Sequence, residues 1–159
     1  TIHGRTRCQF YKGAADWAAI QQIKDAVQIP VIANGDIIDV HTARTALKLS
    51  HADGVMIGRG AQGRPWVLAQ VDAQINGGAM PIVPTGYDFV NMVSEHYEAM
   101  LSFYGEELGH KVSRKHLGWY MDEVGTGADL RRSVLTTKTP ADVLRMLPDA
   151  LSDQGEVAA

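Results

Sequence analysis

The first half of the chain alternates between short apolar runs and segments with helical spacing. The apolar runs predict three β-strands, at residues 1–4, 31–33 and 54–57. After each run, apolar residues recur three and four positions apart, which predicts helices at residues 16–27, 40–49 and about 65–75. The runs show little polar alternation, as is typical of strands covered on both faces. This order predicts parallel strands joined by right-handed helical crossovers.

Local signals mark the ends of these predicted helices. Asp16 and Asp39 are predicted to cap two of the helices, and the pair Gly77-Gly78 is predicted to end the third. Three strand–helix units are too few to close a barrel, and they match the last three units of an α/β fold, the (β/α)8 TIM barrel. Because the chain opens on Thr1 rather than Met, we expect it to be the C-terminal portion of a longer protein.

The second half has helical spacing throughout. A first long helix is predicted from an apolar stripe made of Phe89, Val90, Val93, Tyr97, Met100, Leu101 and Tyr104. Further helices are predicted at about residues 108–122 and 128–135, and a last one starts at Thr139-Pro140 and is ended or kinked by Pro148. We therefore expect four segments: a barrel portion, a linker, a small all-helical domain and a frayed tail, at residues 1–79, 80–86, 87–151 and 152–159.

Composition narrows the class of protein. The chain has 159 residues, of which 45% are apolar and 21% charged, as in ordinary globular proteins. No apolar run reaches the ~18 residues of a membrane span. The single cysteine, Cys8, cannot form an internal disulfide and fits a reducing, cytoplasmic setting. A net charge of −3 argues against bulk attraction to nucleic acid but leaves room for a local basic patch.

All three predicted strands end in polar or glycine-rich sequence. The first is followed by His3-Gly4-Arg5-Thr6-Arg7, the second by Asn34-Gly35-Asp36 and the third by Gly58-Arg59-Gly60. In α/β folds ligands bind beyond the carboxyl ends of the strands. Glycine lets the backbone N–H groups approach a phosphate closely, and arginine supplies a charged fork. The combination predicts a site for a phosphate-bearing ligand.

Each of these residues also has a simpler explanation. Gly35 alone is compatible with an ordinary turn, and Asp36 or Asp39 with a helix cap. Arg59 alone is compatible with a surface salt bridge, and His3 with a hydrogen-bonded structural histidine. Their occurrence at three consecutive strand ends favours the ligand site, but this pattern by itself does not select a flavin.

Several longer runs resemble one family, the tRNA-dihydrouridine synthases. These runs are TIHGRTRCQFYKG, IPVIANGDI and ADGVMIGRGAQGRPW, and RKHLGWY and ADLRRSVL resemble the helical domain of the family's bacterial B-type branch. The resemblance implies FMN at the mouth of a TIM barrel, NADPH as reductant, and reduction of a flipped-out tRNA uridine to 5,6-dihydrouridine. It implies that the flavin is contacted by His3, Asn34, Gly35, Asp36, Gly58 and Arg59.

Two features of the family have no match in this chain. The family's catalytic cysteine lies in an earlier loop with a pattern like N-x-G-C-P, and a flavin-contacting lysine lies on an earlier strand. Cys8 follows the wrong strand for the catalytic role. We therefore predict no catalytic residue here, expect the catalytic Cys upstream of this chain, and expect the isolated chain to be inactive and to bind FMN weakly.

The resemblance also implies contacts to tRNA. The predicted RNA-binding residues are Arg5, Arg7, Lys111, Arg114, Lys115, Arg131 and Arg132. However, residues 85–147 hold seven Lys and Arg against nine Asp and Glu, so these charges are equally compatible with a solvated helix face. Trp119 and Tyr120 fit core packing better than base stacking. We predict no metal, no membrane contact and a monomeric full-length protein.

Two other functions stay open at this point. One is an FMN-dependent TIM-barrel dehydrogenase of a small molecule, such as a dihydroorotate-type enzyme. The other is a non-catalytic RNA-binding module. The run RKHLGWY and the helical domain favour the synthase over the small-molecule enzyme, which has no need of them.

Overall fold

The structure is a computed structural model that describes residues 1–10 and 12–152. The chain divides into two compact units, with the boundary between Pro81 and Ile82. Unit one is an α/β layer with a small parallel sheet, and unit two is all-helical. Among the described residues, no helix has both the length and the apolar character needed to cross a membrane.

Unit one contains a three-stranded parallel sheet. The strands are β1 (Ile2–His3), β2 (Ile32–Asn34) and β3 (Gly54–Met56), in the order β1-β2-β3. The helices are α1 (Ala18–Ala26), α2 (Val40–Ser50) and α3 (Val67–Asn76), and short 3-10 turns lie at Arg7–Gln9 and Arg59–Ala61. The predicted alternation of strands and helices and the parallel pairing are confirmed.

The strand and helix ends differ from the prediction by one or two residues. The second strand begins at Ile32 instead of Val31, because the Val31 backbone N–H and carbonyl both bond to Asp53, at 2.7 and 2.8 Å. At its other end, Asn34 joins the ladder opposite Met56. The third helix begins at Val67 rather than at Pro65, and Gly77 ends it in the left-handed conformation, with φ 76°.

The predicted aspartate caps are both at helix starts. The Asp39 carboxylate accepts the Thr42 backbone N–H at 2.7 Å, so Asp39 caps α2 as predicted. The residue directly before α1 is Trp17, and Asp16 lies one position before the cap position predicted for it. Even so, the Asp16 carboxylate accepts the Ala19 backbone N–H at 3.0 Å. Both side chains therefore satisfy a backbone donor of a first helical turn.

Among its described residues, unit one contains two apolar core clusters. One contains Ile20, Val31 and Ala33, and the other contains Ile37, Ala43, Ala46, Val67 and Val71. Trp17 packs against both clusters. The central strand β2 thus has its Ala33 side chain fully buried, as expected for a strand covered by helices.

Up to Ser152, where the described residues end, unit two contains four helices. They are α4 (Gly86–Tyr104), α5 (Glu106–Val124), α6 (Ala128–Thr136) and α7 (Pro140–Leu151). The predicted apolar stripe of α4 is buried from Phe89 to Met100, but Leu101 is only partly buried and Tyr104 is 46% exposed. The stripe therefore ends one turn earlier than predicted, near the tight connection to α5 at Gly105.

Of the two predicted effects of Pro148, an end of the last helix is wrong, because α7 continues past Pro148 to Leu151. Proline lacks the N–H that would bond to the preceding turn, which normally disfavours an interior position. Here Leu147, Ala150 and Leu151 are all buried, so packing on both sides of Pro148 holds the chain in the helical path. The predicted frayed tail lies, apart from Ser152, outside the described residues.

Candidate functional site: an anion pocket at the strand ends

The pocket lies at the carboxyl ends of the three parallel strands. It has a volume of about 580 Å³. The loops that follow β1, β2 and β3 all contribute to its lining, through His3, through Asn34 to Ile38, and through Met56 and Gly58 to Gly60. All six predicted flavin-contacting residues therefore line one cavity.

His3 has a defined ring orientation in this pocket. The Arg5 backbone N–H donates to His3 Nδ1 at 3.0 Å, so Nδ1 is the acceptor nitrogen. In the neutral ring the proton is then on Nε2. His3 thus carries a ring N–H donor that this local hydrogen bond does not use.

The loop after β2 has little room for side chains. The Asn34 side-chain amide donates to the Met56 carbonyl at 2.7 Å, which ties the end of β2 to the end of β3. Gly35 has φ 111°, and a Cβ there would lie 2.9 Å from Ala15 Cβ and 3.0 Å from His3 Cε1. Only glycine fits this position, because both the backbone conformation and the close approach of His3 exclude a side chain.

Asp36 connects the three loops. Its Oδ2 accepts hydrogen bonds from the Arg5 guanidinium and, at 2.8 Å, from the Ala15 backbone N–H. Its Oδ1 lies 3.9 Å from Arg59 Nη2. Asp36 itself has φ 53°, in the left-handed region, where aspartate is tolerated better than most residues. The carboxylate is therefore shared between an arginine from the β1 loop and one from the β3 loop.

The electrostatic balance keeps Asp36 ionised. Burial raises the pKa of this carboxyl group, but hydrogen bonds from Arg5 and Ala15 and the charges of Arg5 and Arg59 outweigh burial and leave the pKa below its usual range. Because buried Arg5 already pairs with Asp36, the charge of Arg59, which lines the pocket, is left in excess. This excess suits an anionic ligand, and the carboxylate is better placed to orient arginines than to contact a phosphate.

The loop after β3 supplies glycines and a charged side chain. Arg59 is 56% exposed on its side chain and lies beside Asp36. A Cβ on Gly60 would lie 2.5 Å from the Ile37 carbonyl oxygen, so the backbone of this loop packs directly on the β2 loop. Glycine at this position brings Arg59 next to the end of β2, which is the arrangement expected of a phosphate cradle.

Arg5 has a different environment from the one predicted for an RNA contact. Its side chain is only 5% exposed, and besides Asp36 its guanidinium donates to the Gly13 carbonyl at 2.6 and 3.1 Å. A side chain buried and engaged in this way holds the β1 loop in place and is not exposed for the predicted RNA contact. Arg7 and Cys8 are exposed on the adjacent 3-10 turn.

The basic residues of unit two fall into two groups. Lys111, Arg114 and Lys115 are exposed and share one face of α5, and Lys111 also pairs with Glu107 at 2.7 Å. Arg132 is exposed on α6, with Asp129 at 4.0 Å. These four residues have the exposure that a phosphate contact requires.

Arg131, by contrast, is a contact between helices. Its guanidinium donates to both oxygens of Asp122, at 2.9 and 3.4 Å, and lies over Gly118 of α5. A Cβ at Gly118 would lie 3.1 Å from Arg131 Nη2. The missing side chain therefore allows an arginine of α6 to cross α5, and we assign Arg131 a structural role.

Two histidine networks in unit two were not predicted from the sequence. His110 is buried, accepts the Tyr97 hydroxyl at 2.8 Å and donates from Nε2 to the Thr137 carbonyl at 3.0 Å. His96 forms a hydrogen bond with the Tyr120 hydroxyl at 2.9 Å and an edge contact with the His116 ring. Tyr120 is therefore a core residue, as favoured from the sequence. The histidine–tyrosine pairs themselves leave no local signal in the sequence, because their members lie on different helices.

Metal binding finds no support in the described part of the chain. Within residues 1–10 and 12–152, no group of three or more His, Cys, Asp and Glu residues is arranged to hold a metal ion. The strand-end pocket is lined by glycines, an amide, a histidine, an arginine, the Asp36 carboxylate and three apolar side chains.

A parallel sheet with such a pocket at its carboxyl ends defines an α/β protein with a strand-end pocket, the usual place for a ligand in this class of fold. The family model described as Dihydrouridine synthase matches residues 1–155. The chain therefore belongs to the dihydrouridine synthase family, and the resemblance seen in the sequence is confirmed.

Curated relatives agree with this membership. The chain is 54% identical over 153 residues to a probable tRNA-dihydrouridine synthase of Rhodobacter capsulatus, covering 96% of the chain and 47% of the relative. It is 47% identical over 143 residues to one from Rickettsia conorii, covering 90% and 43%. It is 45% identical over 149 residues to a tRNA-dihydrouridine synthase B of Xanthomonas campestris, covering 93% and 45%. The chain spans about half the length of these relatives.

Proposed function

We propose that this chain is the flavin-phosphate and RNA-contacting half of an enzyme that reduces uridine to 5,6-dihydrouridine in cytoplasmic tRNA. FMN is the proposed cofactor and NADPH the proposed reductant. The three strand–helix units would be the last three of a (β/α)8 TIM barrel. The observation that carries the proposal is the convergence of His3, Asn34 and Arg59, from three separate loops, on one pocket.

The residues of the pocket fit the phosphate end of such a cofactor. Gly35 and Gly60 stand where a Cβ would collide with neighbouring atoms, and that closeness brings the backbones of the loops together around the cavity. Arg59 would pair with the phosphate, while Asp36, held by Arg5, keeps Arg59 in position. Asn34 and the Nε2–H of His3 would offer donors to the rest of the flavin. When bound, FMN would supply the hydride for reduction of the uracil ring.

The proton for the second half of the reduction needs an acid that this pocket does not offer. Cys8 is exposed on the turn after β1 and does not line the pocket. We propose that the acid is the cysteine of the family's N-x-G-C-P-like pattern, in the part of the relatives that this chain does not match. Cys8 has no proposed catalytic role.

RNA contact is assigned to exposed cations only. On unit one this is Arg7, and on unit two they are Lys111, Arg114, Lys115 and Arg132. Neutralising phosphates with such residues makes binding depend on salt. Family membership favours this function over a small-molecule dehydrogenase, since the relatives are named for a tRNA product.

The test requires a full-length protein. We define the full-length chimera as this chain joined to the part of the Rhodobacter capsulatus relative that it does not match. Expressed in cells that lack their own dihydrouridine synthases, the chimera should purify with a flavin spectrum and restore dihydrouridine in tRNA, as measured by nucleoside mass spectrometry. If the intact relative restores dihydrouridine and the chimera binds flavin yet restores none, the proposed activity of this chain is wrong.

A further inference from the structure

A second cavity lies beside the anion pocket in unit one. It has a volume of about 290 Å³ and is lined by His3, Arg5, Thr6, Arg7 and Phe10. His3 lines both cavities, so the two share a wall. Nothing in the family match or in the names of the relatives assigns a ligand to this second cavity.

Phe10 is the unusual residue of this cavity. Its side chain is 73% exposed, and its backbone has φ 49°, which is rare for a bulky residue. Hydrogen bonds fix the turn before Phe10. The Thr6 N–H and hydroxyl both donate to the Gln9 side-chain oxygen, and the Phe10 N–H donates to the Arg7 carbonyl. Strained residues of this kind concentrate at ligand clamps. The strain presents an aromatic ring to solvent at the cavity edge.

The charges around Phe10 have one sign. Arg5 and Arg7 are cationic and none of the five described lining residues is acidic, but Arg5 is already paired with Asp36, so Arg7 supplies the exposed charge. Arg5 Nη1 is buried and has no hydrogen-bond partner among the described residues, although the other guanidinium nitrogens are paired. A buried donor without such a partner is uncommon in folded proteins, and here it belongs to an arginine that lines this cavity.

We propose that this second cavity binds a nucleotide, with its base stacked on Phe10 and its phosphate paired with Arg7. An exposed aromatic face beside cations is the arrangement that proteins use for bases and their phosphates. The inference rests on the proposed function, which supplies two nucleotide sources. One is an RNA residue close to the target uridine, and the other is the dinucleotide reductant.

The experiment measures steady-state kinetics of the full-length chimera, with tRNA and NADPH varied separately. Phe10→Leu removes the aromatic face and Phe10→Tyr keeps it, while Arg7→Met removes the charge and Arg7→Lys keeps it. Lys48→Met, which removes an exposed charge from the last turn of α2 at the other end of unit one, is the control. Flavin content should be unchanged in all five variants, because Phe10 and Arg7 do not line the anion pocket.

We expect Phe10→Leu and Arg7→Met both to raise the KM for one of the two substrates, the same one in each variant, by about fivefold or more, with kcat little changed. Phe10→Tyr and Lys48→Met should behave like the parent chimera, and Arg7→Lys should recover part of the loss. A raised KM for tRNA, with a shallower salt dependence in Arg7→Met, identifies an RNA residue as the ligand. A raised KM for NADPH identifies the reductant.

Unchanged KM values for both substrates in Phe10→Leu and Arg7→Met would overturn the nucleotide site. That failure is distinct from failure of the proposed function, because the parent chimera would still contain flavin and form dihydrouridine. Should Phe10→Leu fold poorly, shown by a lower melting temperature, Arg7→Met decides alone, since Arg7 is exposed and its replacement disturbs no core contact.

Discussion

At the scale of single residues, each carboxylate oxygen of Asp36 faces a different arginine. Oδ2 is bonded to Arg5 and to the Ala15 N–H, and Oδ1 faces Arg59. Because Arg5 is 5% exposed and Asp36 31% exposed on their side chains, this ion pair is shielded from water more than a surface pair. The sequence shows the three residues but not this division of roles, since Arg5 and Asp36 are 31 positions apart and either could have faced solvent.

We predict that Arg5 and Asp36 are strongly coupled. In a double-mutant cycle with Arg5→Met and Asp36→Asn, measured by urea unfolding of the chain, the coupling free energy should be about 1–2 kcal/mol. Hydrogen bonds to charged groups contribute ~1.5–3 kcal/mol, and the partial exposure of Asp36 reduces this.

The control for this cycle is the exposed pair Arg145 and Asp142 on α7, joined at 2.7 Å. Exposed pairs of this kind contribute about 0.5 kcal/mol. Equal coupling energies in the two cycles would mean that Asp36 does not organise the loops.

At the scale of elements, close crossing of helices explains why some glycines are required. A Cβ on Gly109 of α5 would lie 2.6 Å from the Met100 carbonyl oxygen and 2.8 Å from Leu101 Cα, both on the backbone of α4. At Gly118 the nearest obstacle is the flexible end of the Arg131 side chain, at 3.1 Å. Helix caps such as Asp39 were predictable because they depend on neighbours three residues away. The partners of Gly109 and Gly118 come from other helices and leave no local signal.

Gly109→Ala and Gly118→Ala should therefore have different effects on stability, with only Gly109→Ala strongly destabilising. Helix propensity alone favours alanine at both positions by about 1 kcal/mol. We expect Gly109→Ala to lower the free energy of unfolding by about 1–3 kcal/mol, because α4 and α5 must separate. Gly118→Ala should be neutral or slightly stabilising, as the Arg131 side chain can move. Urea denaturation of the two variants measures this, and similar effects of both would contradict the assigned helix contact.

The histidines of unit two predict a pH dependence. Burial, and for His96 also the charge of His116, lowers the pKa of both residues below the usual value of 6.5. The unfolded chain then binds more protons than the folded chain as the pH falls below 6.5, so the free energy of unfolding decreases. Above about pH 7.5 both rings are neutral in both states, and this contribution is constant.

We expect the urea concentration at half-unfolding to be constant between about pH 8 and 7.5 and to fall as the pH decreases from about 6.5 to 5. The carboxyl groups with lowered pKa values, such as Asp36 and Asp39, have a reference value of 3.8 and act only at lower pH. His116→Gln should reduce the loss, because one titrating ring and its repulsion of His96 are removed. If the urea midpoint fell equally fast with decreasing pH in the parent and in His116→Gln, this histidine pair would be excluded as the cause.

At the scale of the whole molecule, the sequence predicts the alternating unit, the helical unit and the family, because each depends on patterns repeated over many residues. The lining of the anion pocket was also predictable, since parallel strands bring their carboxyl ends to one edge. The second cavity was not, because it depends on the backbone conformation of Phe10 and the burial of Arg5. Whether α7 would end at Pro148 or continue was left open for a similar reason, since the burial of Leu147, Ala150 and Leu151 overrides a local preference.

The central claim is that the loops after β1, β2 and β3 form one site for the phosphate of a flavin, with Arg59 as its charged partner. The most direct measurement is the dissociation constant for FMN of the full-length chimera carrying Arg59→Met, Arg59→Lys or the control Lys48→Met. We predict binding about ten- to hundredfold weaker in Arg59→Met, as expected for loss of a charged hydrogen bond, with partial recovery in Arg59→Lys and no change in Lys48→Met. Equal affinity for FMN in all three variants and the parent would contradict the account.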